Sequence, residues 1–182
     1  PGGVWALPAL ASWQRLDGEP GEALLSARQA ITLAPGDSGA WLGLAGVYQA
    51  LGQLDQAWSA YQQAGAVEPN NAEVWMALAA FERSQGRLEE AEAALRRAAQ
   101  VNAASNFPIV ALGDLLRQRG RWAEAESAYR QAIAVDVSQS GGYLGLAGLL
   151  QSRGRTGEAE AVFREAIQVL PADVSLRVAL AE

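Results

Sequence analysis

The segment WLGLAGVYQALGQLDQAWSAYQQAGAVEP (41–69) is followed, 34 residues on, by WMALAAFERSQGRLEEAEAALRRAAQVNA (75–103), and the two align without a gap. A fixed period of this length constrains a chain tightly. Each copy must be one supersecondary unit that buries its apolar face against the next. Frames start at Val4, Ser38, Ala72, Asn106, Ser140 and Val174. The fourth place holds Leu7, Trp41, Trp75, Ile109 and Tyr143, and the seventh is Leu throughout, from Leu10 to Leu180. The eighth is Ala45, Ala79, Gly113 or Ala147; the fifteenth is Gly18, Gly52, Gly86, Gly120 and Gly154. The twentieth is always Ala (Ala23, Ala57, Ala91, Ala125, Ala159), as is the twenty-seventh; between them stand Ala27, Tyr61, Leu95, Tyr129 and Phe163.

Each column has a mechanical reason. Places 4, 7, 8 and 11 fall on one helix face, and places 17, 20, 24, 27 and 28 on another. Two helices of roughly 13 residues per frame result, each about 20 Å long. Glycine at place 15 ends the first helix where a left-handed residue is needed. Small residues at places 8, 20 and 27 let helix axes approach, and large ones at 4, 7, 11 and 24 fill the surrounding space. Pro35, Pro69 and Pro171 stop the second helices, and Pro108 fits a first turn, where its missing N–H costs nothing.

The pattern W-x-x-L-[AG]-x-x-Y…G…A-x-x-x-[YFL]-x-x-A…P closely resembles the tetratricopeptide repeat. The match runs over residues 4–173 as five repeats (4–37, 38–71, 72–105, 106–139, 140–173), with 174–182 opening a sixth. The resemblance implies an all-α fold: a right-handed superhelical solenoid of antiparallel helix pairs, a single array over residues 1–182. First helices then line a concave face and second helices face outward. The first repeat departs most, with Leu7 and Ala27 at large-residue places and Pro8 within its first helix; Ala103 and Val137 stand where proline is usual.

In the resembled family the concave face is lined by places 2, 5, 6, 9, 12 and 13 of the first helix. Place 5 here is Leu42, Met76, Val110 and Leu144, and place 12 is Gln49, Arg83, Arg117 and Gln151. Asp114 occupies place 9 of its repeat and Phe107 place 2. These ten residues form the candidate groove: an apolar floor edged by guanidinium and amide groups, fit for a partner's amphipathic helix or extended segment. Backbone is expected near the surface at Gly43, Gly46, Gly145 and Gly148. The Lys and Asn of family members that clamp acidic tails are missing at places 5 and 9, and so is an asparagine ladder.

Composition removes most chemistry. With no Cys, His or Lys, thiolate or imidazole zinc sites, Ser-His and Cys-His nucleophile pairs and a phosphate-loop lysine are all impossible. Glu89 with Glu90 and Glu158 with Glu160 lie on second helices, where acid–base work lacks a cleft. The expectation is a non-enzyme without cofactor or metal. A net charge of −6 argues against nucleic acid, and no apolar run is long enough for membrane insertion. Trp41, Trp75, Trp58 and Trp122 are read as core, and the Glu/Arg clusters as solvated outer faces with i,i+4 pairs. A start at Pro1 and a stop inside the pattern SLRVALAE suggest a piece of a longer protein. Self-association through open solenoid ends, around Trp5, Trp13 and residues 174–182, is the second reading; a catalytic domain elsewhere that these repeats serve is the third.

Overall fold

The computed structural model describes residues 20–181, and the regular structure among them is helical. The helices are α1 (Pro20–Leu33), α2 (Ser38–Ala50), α3 (Leu54–Val67), α4 (Ala72–Ser84), α5 (Leu88–Val101), α6 (Phe107–Gln118), α7 (Trp122–Val135), α8 (Ser140–Ser152), α9 (Thr156–Val169) and α10 (Val174–Ala181). Even-numbered helices are the first helices of their repeats, odd-numbered ones the second. The expectations placed on Trp5, Leu7, Pro8, Trp13 and Gly18 lie outside the described residues. Among the described residues, those up to Gly86 form one compact unit and those from Arg87 a second.

Helix starts and stops follow local chemistry. Asp37 Oδ1 accepts from Gly39 N–H at 2.8 Å to cap α2, and Asn71 Oδ1 accepts from Glu73 N–H at 3.0 Å to cap α4. Asp173 accepts from Ser175 N–H at 2.9 Å before the last helix. Gly52, Gly86, Gly120 and Gly154 have φ between 71° and 75°, the left-handed conformation that their column demands. Beyond these glycines the chain folds back on the helix end: Gln53, Arg121 and Arg155 N–H groups reach the carbonyls of Tyr48, Leu116 and Leu150, each at 2.9 Å.

In the first unit α2 packs on α1, α3 and α4, and α3 on α4. Ala45, Ala57, Ala64 and Ala79 are buried at the close approaches, with Leu44, Val47, Leu78 and Phe81 around them. Tyr61 packs on Phe81 with ring centroids 5.1 Å apart. Trp41 and Trp75 are half-buried, and each indole N–H donates to a proline carbonyl six residues back, Pro35 and Pro69, at 3.1 and 2.9 Å. Tryptophan at place 4 therefore also braces the turn that precedes its helix.

In the second unit α6 packs on α5, α7 and α8, and α8 on α7, α9 and α10. Its core joins Ile109, Leu116, Tyr129, Tyr143, Leu146, Leu149, Leu150, Phe163 and Leu176 with the alanine columns. The ring of Tyr129 is fully buried between two helices. A Cβ on Gly113 would sit 2.6 Å from that ring, and one on Gly145 closer still. Glycine is required at both because the ring fills the space.

Three expectations are corrected. Trp58 and Trp122 are not core: they remain 45% and 40% exposed. Each stands near the start of a second helix, where one edge of the indole stays open. Trp58 donates to Glu82 at 2.9 Å, and the Arg153 guanidinium lies 5.5 Å from the Trp122 ring. Gly145 is not bare backbone, since Tyr129 covers it. Finally, the Glu/Arg clusters are more than solvated faces. Glu92 is buried and meets Arg119, Arg121 at 2.5 Å and Arg96 at 2.6 Å. One repeat later Glu126 meets Arg130 at 2.6 Å and Arg155 at 2.7 Å. Arg119, Arg121 and Arg155 reach back from the turn of one repeat to the second helix of the repeat before it. The i,i+4 pairs that the clusters predict are present within these networks.

Candidate functional site

The first helices present the candidate residues because the buried alanine columns seat each helix in one rotation against its neighbours. In the first unit Leu42 and Met76, on α2 and α4, are half-buried, and Gln49 and Arg83, two turns further along, are exposed. Val110 and Leu144, on α6 and α8 of the second unit, are likewise half-buried, with Arg117 and Gln151 exposed. Val110 packs against Gly141: a Cβ there would lie 3.6 Å from Val110 Cγ2. Val110 and Leu144 also lean on the second unit's core. These side chains thus divide their surface between the molecule and the outside. Phe107, at the first turn of α6, is 72% exposed.

Polar groups behind this face hold it in place. In the first unit Tyr61 donates to Gln49 Oε1 at 3.0 Å, which ties one member of the rail to the core. In the second, Tyr129 donates to Asp114 Oδ1 at 2.7 Å. Burial first, then this bond to a carboxylate, push the Tyr129 phenol well above its ordinary value, and Arg117 works in the opposite direction. The glycines of this face differ in their surroundings. Gly46 and Gly148 face open space, whereas Gly145 is backed by the tyrosine.

The Tyr129–Asp114 bond has a weak signal in the sequence: glycine rather than alanine at place 8 of the fourth repeat makes room for a larger ring. The Arg–Glu ladder has a better one. Glu92 and Glu126 stand one period apart, as do Arg121 and Arg155, and each Glu–Arg contact spans 29 residues. Among the described residues no cluster of His, Cys, Asp and Glu is arranged for a metal ion, and no helix is long and apolar enough to cross a membrane.

Models described as Tetratricopeptide repeat match residues 15–81, 72–105 and 110–173. The chain belongs to the tetratricopeptide repeat family. Its fold is the family's all-α helical solenoid. No curated protein sequence matches it. Among solved structures it is similar to TTC0263, a thermophilic tetratricopeptide repeat protein of Thermus thermophilus, at 26% identity and a TM-score of 0.64, over 98% of this chain and 97% of that one. Pseudomonas aeruginosa pilF aligns at 23% identity and a TM-score of 0.73, covering 95% of this chain and 79% of that one. YrrB, described as a tetratricopeptide repeat protein with an unusual peptide-binding site, aligns at 18% identity and a TM-score of 0.66, covering 97% and 91%. Membership supports a protein-interaction scaffold in general.

Proposed function

We propose that residues 1–182 act as one non-catalytic scaffold whose first-helix faces dock a partner protein's helix or extended segment. Leu42, Met76, Val110 and Leu144 supply the apolar contacts. Gln49, Arg83, Arg117 and Gln151 supply polar contacts at the edge, and Asp114 and Phe107 add to the second unit's share. The observation that carries this reading is that all four place-5 residues keep part of their surface open. Core packing alone does not require a repeated column of open apolar surface, and such surface on proteins marks contact sites. At roughly 25 cal/mol per Å², the uncovered part of each side chain contributes on the order of 1 kcal/mol when a partner covers it. The net charge of −6 disfavours nucleic acid as that partner.

The test is selection of short peptides from a random displayed library on the full chain, followed by titration against Leu42→Glu, Met76→Glu, Val110→Glu and Leu144→Glu. Loss of binding with an unchanged helical circular dichroism spectrum is expected. Undiminished binding to all four folded variants contradicts the proposal.

Self-association has one observation in its favour. Val174 and Val178, one turn apart on α10, are both exposed. Light scattering over a concentration series tests it: growth in mass that Val178→Glu abolishes supports assembly, and a constant monomer mass refutes it for this chain.

A further inference from the structure

Two successive repeat joints of the second unit differ by one carboxylate. At the first, where the α6–α7 turn meets α5, Arg119 holds Glu92 and also Glu89, the latter at 2.5 Å. One period on, Arg153 stands in the place of Arg119, Trp122 in that of Leu88, and Ala123 in that of Glu89. Glu126, the counterpart of Glu92, is taken by Arg130 and Arg155. Among the described residues no carboxylate pairs with Arg153, and its guanidinium lies 5.5 Å from the centre of the Trp122 ring instead. Arg153, Trp122 and Ala123 are all exposed.

We propose that Arg153, held on Trp122, is a docking point for a carboxylate from an acidic segment of a partner protein. The guest takes the seat that Glu89 fills within the chain one repeat earlier. The guanidinium turns one face to the indole, and its N–H donors, which lie in the guanidinium plane, remain at the rim. A planar carboxylate matches two of those donors at once. The indole is itself braced, because its Cζ2 comes 3.8 Å from where a Cβ on Gly120 would stand. It keeps the guanidinium in one place and shields one side of it from water, so little side-chain freedom is lost when an anion arrives. The seat is reachable from outside: Glu89 stays 74% exposed while it holds Arg119. The complement is a carboxylate because that is the group the same arginine place already holds one repeat earlier. This surface, at the start of α7 and the end of α8, shares no residue with the docking face and stands independently of it.

The test is a low-salt titration of the full chain with an oligoglutamate peptide, chosen for its charge and not selected from a library. A single exposed ion pair is weak, so the probe offers its carboxylates in many registers. NMR follows the Trp122 indole N–H signal, assigned with Trp122→Phe. A saturable shift of that signal is expected, and it should be lost in Arg153→Gln. Ala123→Glu restores the carboxylate of the earlier joint and should also abolish the shift. Ala134→Glu adds the same charge at an exposed place further along α7 and should leave the shift in place. Circular dichroism checks that these surface variants keep their helices. No saturable shift, or a shift that survives Arg153→Gln, overturns the inference. Equal suppression by Ala123→Glu and Ala134→Glu also overturns it, because the peptide then senses net charge and not a seat. Inorganic phosphate shifting the signal at lower concentration than the peptide overturns the carboxylate assignment in favour of a phosphate site.

Discussion

The two units fasten their helices and turns, within and between repeats, with different chemistry. In the first unit the grips are neutral or singly charged: the indoles of Trp41 and Trp75 on proline carbonyls, Tyr61 on Gln49, and Glu68 accepting from Ser38 N–H at 3.2 Å and Asn71 at 3.0 Å. In the second unit, where Ile109 and Tyr143 replace tryptophan and Ala103 and Val137 replace proline, the described ion ladder joins the repeats, and Tyr129 bonds a carboxylate. Any alanine, leucine and glycine set that fits the columns builds the stack. The polar contacts that fasten it are free to vary.

The sharpest break in the comparison is Tyr129→Ala against Tyr61→Ala. Both rings sit at place 24, but Tyr129 is fully enclosed and wedged between two glycines. Removing it should cost about 3–5 kcal/mol, the range for large aromatic cavities. Tyr61, which keeps a little exposure, should cost less; equal losses in urea unfolding would erase the distinction. Next comes Glu92→Gln. It leaves Arg119 and Arg121 without their buried carboxylate, a loss of about 2–3 kcal/mol after allowance for the arginines' partial exposure. Glu126→Gln, at the more open site one repeat later, should cost less, as differential scanning calorimetry would show.

Two glycines on α8 sharpen the picture of the wedge. Gly145→Ala drives a methyl into Tyr129 and should destabilise by about 1–3 kcal/mol. Gly148→Ala, three residues on and in open space, should stabilise by up to about 1 kcal/mol through helix propensity. Thermal midpoints moving in the same direction would contradict the wedge. The smallest effect is in the pH dependence, and the units should differ in its sign. Glu68 is held below its ordinary range, chiefly by Asn71 and then by Ser38. Its contribution is present above the unfolded value near pH 4 and fades as pH falls through the folded one. Tyr129 is raised, so its contribution is present below about pH 10 and fades as pH climbs through its folded value. Glu68→Gln should flatten the acid limb of the stability curve, and Tyr129→Phe the alkaline limb.

Much of the fold is legible in the columns, because burial and backbone geometry act identically in every repeat. A glycine at place 15 has one conformational task, and four of the five are seen at positive φ. The grips are less legible because they depend on pairs across repeats. Trp58 and Trp122 look like core by column, yet their neighbours leave one indole edge open. Glu92 looks like surface by type, yet two arginines from the next turn enclose it. The candidate face lies between these cases. Column 5 names Leu42, Met76, Val110 and Leu144, while their degree of exposure depends on how neighbouring helices seat. Tyr129's reach to Asp114 is set by the absence of a Cβ at Gly113 and Gly145, a negative feature that hydrophobic periodicity does not carry.

The most direct measurement is an amide and methyl NMR map of the chain titrated with a selected peptide. The account predicts that the perturbed signals fall on the even-numbered helices, at Leu42, Gly46, Met76, Arg83, Val110, Asp114, Leu144, Gly148 and their neighbours. A map centred instead on the second helices, around Trp58, Trp122 and Glu160, would contradict it.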